Sequence, residues 1–191
     1  MSLFIESEVR ARAKRAVGLY ESAAGILTKQ MRKQAAIAQH DIFLSHAYDD
    51  KELVLGMALL IEDLGYSIYL DWRDDPSLDR KRVTAQTAEK LRVRMKASRC
   101  LFYSTTEHAS ESKWMPWELG YKDGQNTRTA ILPILGYSTD SYSGQEYLGV
   151  YPYVAHGPDT TGKHRLWIRR SETCYVSFDD WLSGHDPTER N

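Results

Sequence analysis

A chain of 191 residues, 42% hydrophobic and 27% charged, is long enough to bury one sizeable core, and no window approaches the eighteen or so uninterrupted apolar residues of a membrane-spanning helix. The formal net charge of −1 hides an asymmetry: residues 1–38 hold seven of the 25 Lys and Arg but three of the 26 acids, so the remainder is net acidic. An acidic body argues against nucleic-acid binding, which calls for a basic face.

Residues 5–38 lack proline and place Val9, Ala13, Ala16, Tyr20, Ala23, Leu27 and Met31 at steps of three and four, the repeat of one helical face. A long amphipathic helix is therefore expected over 1–38, as an extension that docks on the body or on a partner helix. A main domain over 39–182 and a tail over 183–191 complete the expected organisation. Residues 41–47 form a short apolar run, and 52–64 carry a helical pattern that Gly65 stops. A second strand over 67–71 leads into a charged, proline-containing loop over 72–82. Thr84 suits the cap of a helix reaching 96, because its hydroxyl can accept from the free amides of a first turn.

A third strand is expected over 100–104 and a fourth over 130–135. Between them a helix begins at about Met115, with Pro116 in the first turn, where a missing N–H costs little. Residues 137–149 are rich in Ser, Gly and Tyr, and 156–163 place Gly, Pro and Thr at turn positions, so both read as loops. Edge strands over 166–168 and 175–178 and a helical turn over 179–182 close the domain. Strands alternating with helices every thirty residues or so predict an α/β fold, a central parallel sheet with helices on both faces.

Ligands of such folds lie at the carboxyl ends of the strands. The chain collects Ser45, His46 and Ala47 there, then Asp71, Trp72 and Arg73, then Ser104, Thr105 and Thr106, and after the third strand Trp114, Trp117 and Glu118. A carboxylate in a first helical turn is kept ionised by the helix dipole, and neighbouring indoles offer faces to a heteroaromatic ring or a cation, a combination suited to glycosyl cleavage. The plainer reading is that first-turn acids are common and tryptophans usually belong to cores. The six histidines show no metal-ligand spacing and Cys100 and Cys174 stand isolated, so no metal is expected. There is no G-x-G-x-x-G and no Walker A sequence. Two unpaired cysteines and no apolar leader point to a reduced, cytoplasmic protein.

Residues 40–51 (His-Asp-Ile-Phe-Leu-Ser-His-Ala-Tyr-Asp-Asp-Lys), Gly65 to Asp71, the long loop that follows, Lys113-Trp-Met-Pro-Trp-Glu118-Leu and Ile131-Leu-Pro-Ile134 occur in that order. Over about residues 40–178 the chain resembles a bacterial Toll/interleukin-1 receptor (TIR) domain of the Thoeris-like antiphage defence type. The resemblance implies a flavodoxin-like fold with five parallel strands and, for enzymatic members, cleavage of NAD at the nicotinamide–ribose bond. By position Glu118 matches the catalytic glutamate, and Trp114 and Trp117 match the aromatic positions flanking it. The loop 72–82 matches the BB loop, which closes over the site or reaches a neighbouring subunit; here it is longer and more charged than in many members.

The expected function is thus an NAD glycohydrolase or ADP-ribosyl cyclase whose product, ADP-ribose or a cyclic ADP-ribose, signals to a separate nucleotide-sensing effector. NAD is the substrate and no cofactor is expected. Self-association through the loop 72–82 or the N-terminal helix is expected, without nucleic-acid or membrane partners. Nicotinamide departs as a neutral base from a cationic precursor, so one carboxylate that stabilises an oxocarbenium-like ribose suffices where ordinary glycosidases need two. Glu118 would take that role, Trp114 or Trp117 would stack on nicotinamide, and amides near 45–47 would hold the diphosphate. The alternatives are a non-enzymatic TIR interaction module, with Glu118 an ordinary first-turn acid, and an enzyme like the nucleoside deoxyribosyltransferases.

Overall fold

The computed structural model describes residues 1–19, 39–75, 78, 84–106, 108–137, 139, 142–144 and 146–190. Five parallel strands form the centre of the sheet: β2 (His40–Ser45), β3 (Ile68–Tyr69), β4 (Ser98–Thr105), β5 (Thr129–Leu135) and β6 (Tyr153–Pro158). Their spatial order is β3-β2-β4-β5-β6, and β7 (His164–Arg169), β8 (Cys174–Ser177) and β9 (Thr188–Glu189) continue it antiparallel. A two-residue strand, β1 (Phe4–Ile5), pairs in parallel with the end of β5. The parallel α/β sheet expected from the alternating pattern is present, in the flavodoxin-like form that the resemblance implies.

Side chains alternate across the sheet, which sorts the core into two layers. Ile42, Leu44, Cys100 and Phe102 face α1 (Glu6–Leu19), α2 (Lys51–Asp63) and the short α6 (Phe178–Leu182). Phe43, Leu101, Tyr103 and Ile131 face α4 (Ala85–Lys96) and α5 (Met115–Asn126). Ser45 pairs in register with Tyr103 on the second of these faces, and that parity aims it at α5.

Local signals work as read. Gly65, at φ +95°, ends α2 while its amide bonds to Glu62 O at 2.9 Å. The Thr84 hydroxyl accepts from the Thr87 amide at 3.1 Å and caps α4. Lys122 is buried on α5 and its ammonium donates to Met95 O and Ser98 O, tying α5 to the end of α4 and the start of β4.

Three strand features differ from the sequence reading. Strand β3 ends at Tyr69, because Asp71 opens a one-turn helix, α3 (Asp71–Asp74). The expected loop at 156 is strand to Pro158, since β7 supplies a hydrogen-bonded partner along all of β6. β7 lies inside the sheet, not at its edge. The N-terminal helix packs on α2: Val9, Ala13 and Ala16 are buried, and Gly56 allows Val9 so close that a Cβ there would lie 2.1 Å from the Val9 carbonyl oxygen. The expected continuation of that helix over 20–38 and most of the loop over 72–82 lie outside the described residues.

Candidate active site

Glu118 is the fourth residue of α5, and its amide bonds to Trp114 O at 2.8 Å in the opening turn. Three positions earlier in the turn, the Ser112 hydroxyl accepts from the Met115 amide at 3.3 Å. The Glu118 side chain turns inward to the end of β2, where the Ser45 hydroxyl donates to its Oε2 at 2.6 Å. Both residues are fully buried. The helix N-terminus beside it favours a negative charge on this carboxyl group. The Ser104 hydroxyl, on β4, donates to Ser45 O at 2.9 Å and steadies the strand end from the other side.

Next to Ser45, His46 and Ala47 are buried. The Nδ1 of His46 lies 2.9 Å from Leu44 O; a carbonyl can only accept, so this nitrogen carries the proton. Its Nε2 lies 3.3 Å from Asp71 Oδ1 without a hydrogen bond between them, and Asp71 accepts from the Trp72 amide. Two buried polar pairs, Ser45–Glu118 and His46–Asp71, thus form the seam at the carboxyl end of β2, with Ala47 buried beside them.

Trp72 and Arg73 leave that seam. Arg73 is buried, with its guanidinium on Asp74 at 2.8 Å, Glu62 at 2.7 Å and the carbonyl of Ile68. It locks α3 against α2. Trp72 packs on the α2 face beside Ala16, Leu55 and Leu59. The indole of Trp117 also parts from the carboxylate, because adjacent helical residues point about 100° apart. Trp117 stacks on Tyr121, with ring centroids 5.7 Å apart, and takes the Arg92 guanidinium at 5.4 Å, so it faces α4. Trp114 is buried and meets Trp117 edge to face at 5.4 Å.

Beside the seam lies a cavity of about 510 Å³ over the end of β4, lined among others by Tyr103, Thr105, Thr106, Pro116, Tyr142 and Tyr147. Pro116 joins it to the first turn of α5. Tyr103 joins it to the seam: burial raises its phenol pKa, and its hydrogen bond with Tyr147 and the nearby Glu118 charge act in the same direction. Sequence reading placed Thr105 and Thr106 on the rim but missed the tyrosines, whose signal was a Tyr-rich Gly/Ser loop directly after a central strand. At the mouth, Asp50 is buried and accepts from Thr106 Oγ1 and, at 2.8 Å, sits against Nδ1 of His108.

Among the described residues no cluster of His, Cys, Asp and Glu has the makings of a metal site, and no helix is long and apolar enough to cross a membrane. No family model matches the chain. It is 42% identical over 190 residues to a protein of Bacillus cereus (strain MSX-D12) named Probable 3' cyclic ADP-D-ribose synthase ThsB', covering 95% of this chain and 98% of that one. A shorter match, 32% identical over 83 residues, covers 43% of the chain and 22% of a Cytobacillus dafuensis protein named as a cyclic ADP-D-ribose synthase, TIR2.

Proposed function

The chain belongs to the Thoeris-like TIR family that includes ThsB', and from that membership we propose that it cleaves NAD and releases a cyclic ADP-ribose as an antiphage signal. The observation that carries the site is the Ser45–Glu118 pair, a buried carboxylate held at a strand end, in a first helical turn, next to a cavity large enough for a nucleotide.

In the reaction the bond between C1″ of the ribose and the nicotinamide nitrogen breaks, and its electron pair leaves with nicotinamide as a neutral base. Glu118 stabilises the positive charge growing on the ribose and orients one of its hydroxyls; Ser45 keeps the carboxylate in one rotamer, so that little reorganisation is needed as charge develops. A hydroxyl oxygen of the adenosine ribose then bonds to C1″ and gives up its proton. The name of the 42% identical relative makes the 3′ oxygen the proposed nucleophile. No cofactor enters this scheme.

Glu118 has no exposed surface, so substrate reaches it only when side chains between carboxylate and cavity yield. Tyr103, in the cavity wall and within the field of Glu118, stands on that path. Trp117 shapes α5 from behind in this reading, and Arg73 and Trp72 brace the approach to the loop 72–82. Self-association through that loop, and an effector that senses the product, complete the proposal. Val9, Ala13 and Ala16 are buried, so assembly through the N-terminal helix, the other expected route, would not use those three positions.

The test is direct. Wild-type protein incubated with NAD should release nicotinamide and a cyclic nucleotide resolvable by liquid chromatography, and Glu118→Gln should not. Release of free base from deoxynucleosides instead would favour the transferase alternative.

A further inference from the structure

We propose that Tyr142 and Tyr147 hold the adenosine end of the dinucleotide over the end of β4 and so decide how much product is cyclic and how much linear; this rests on the reading of the protein as an NAD-cleaving enzyme.

The loop that carries them is built for one shape. A Cβ on Gly144 would lie 2.7 Å from the Gly149 amide nitrogen, and one on Gly149 would lie 3.0 Å from Gly144 O, so the two glycines pinch the loop shut. Between them Glu146 adopts a left-handed φ of 50° and starts the short turn Glu146–Val150. The pinch delivers Tyr147 to a hydrogen bond with buried Tyr103, while Tyr142 lies against Tyr153 of β6 with ring centroids 6.0 Å apart.

The chemistry of the wall selects among the parts of NAD. Two phenol rings and the hydroxyls of Thr105, Thr106 and Ser143 suit a flat heteroaromatic base and its sugar. Among the described lining residues there is no Lys or Arg, and Glu146 contributes a carboxylate, so the wall suits a nucleoside and repels a diphosphate. Pro116 places that nucleoside two residues from Glu118, where the other ribose must lie for cleavage. Held there, the adenosine hydroxyl sits next to C1″ when nicotinamide leaves: the C–N electron pair departs with nicotinamide, the hydroxyl oxygen forms the new C–O bond, and its proton is released. If the adenosine end swings free, water adds to C1″ instead and loses its own proton, and linear ADP-ribose results.

The experiment compares wild-type protein with Tyr142→Ala, Tyr147→Ala and Tyr147→Phe. Two quantities are read: the ratio of cyclic to linear product per nicotinamide released, which is independent of rate, and the dissociation constant of ADP-ribose by calorimetry. Each alanine variant is expected to raise the linear share at least five-fold and to weaken ADP-ribose binding about tenfold, the order expected for one lost stacking face. Tyr147→Phe, which keeps the ring, should stay near wild type in both. An unchanged product ratio and unchanged ADP-ribose binding in both alanine variants would overturn the proposal, as would variants that lose inhibition by free nicotinamide but bind ADP-ribose normally. Wild-type protein that releases no nicotinamide, yet binds ADP-ribose in a Tyr142- and Tyr147-dependent way, would sink the enzyme reading and leave the nucleoside subsite standing.

Discussion

Ser45 and Glu118 are 73 positions apart, and the hydroxyl of one donates to the carboxylate of the other at 2.6 Å with neither exposed. A buried carboxylate with a dedicated donor is costly to arrange, and its place at the carboxyl end of β2 is where this fold does chemistry. Glu118→Gln removes the charge with little change of shape. Nicotinamide release should fall by about a hundredfold or more, with the far-ultraviolet circular dichroism unchanged. Turnover at the wild-type rate would remove Glu118 from the mechanism.

Ser45→Ala tests the pair from its other side. The carboxylate stays but loses its positioning donor, so kcat should drop by about tenfold while KM changes little, and stability should fall by about 1–3 kcal/mol for the unsatisfied acceptor. A loss of stability with full kcat would make the bond purely structural.

Arg73 stood among the candidate substrate contacts, yet its guanidinium is consumed by Asp74, Glu62 and Ile68 O. Arg73→Met leaves two part-buried carboxylates and the Ile68 carbonyl without their donor and should cost about 1–3 kcal/mol, seen as a lower urea midpoint. The fraction that remains folded should show wild-type KM for NAD. A raised KM with unaltered stability would instead return Arg73 to the binding site.

His40 and His156 each have a pKa held below the usual histidine value, with burial as the leading cause in both. In the unfolded chain they protonate near pH 6.5, whereas the folded protein resists until lower pH, so below 6.5 the unfolded state binds more protons. Their contribution is therefore complete above pH 6.5 and drains away as pH falls toward the depressed values. Urea midpoints measured at pH 7.5 and 5.5 should show the loss. The difference should shrink in His156→Phe, which keeps the stacking on Phe4, whose ring centroid lies 4.5 Å away. An identical pH dependence in that variant would rule out His156 as a source.

Gly56 sits within α2, where alanine ordinarily stabilises by about 1 kcal/mol. Here a Cβ would meet the Val9 carbonyl oxygen at 2.1 Å, so Gly56→Ala should destabilise by about 1–3 kcal/mol and expose α1 to proteolysis. Unaltered protease resistance around residues 6–19 would show that α1 can shift without loss.

Much of the secondary structure was legible because its causes are local. The apolar run before Ser45, the stop at Gly65, the Thr84 cap and Pro116 in a first turn each follow from the chemistry of a few adjacent residues. The α/β class follows from their alternation, and a carboxylate near a helix start at the strand ends was legible for the same reason. What misled was also local: residues 156–158 look like a turn in isolation and become strand only because β7 supplies partners for their backbone groups.

By itself the sequence determined the class of fold, the strand ends as the functional edge and Glu118 as the residue to weigh. Tertiary structure alone decided that the carboxylate turns to Ser45 and away from Trp117, that Arg73 is spent on Glu62 and Asp74, and that a Tyr-rich loop forms a cavity wall. The reason is range. A helix or turn is set by neighbours a few positions away, whereas the direction a side chain takes at the rim depends on strand register and on packing between segments dozens of residues apart, and no local pattern records that.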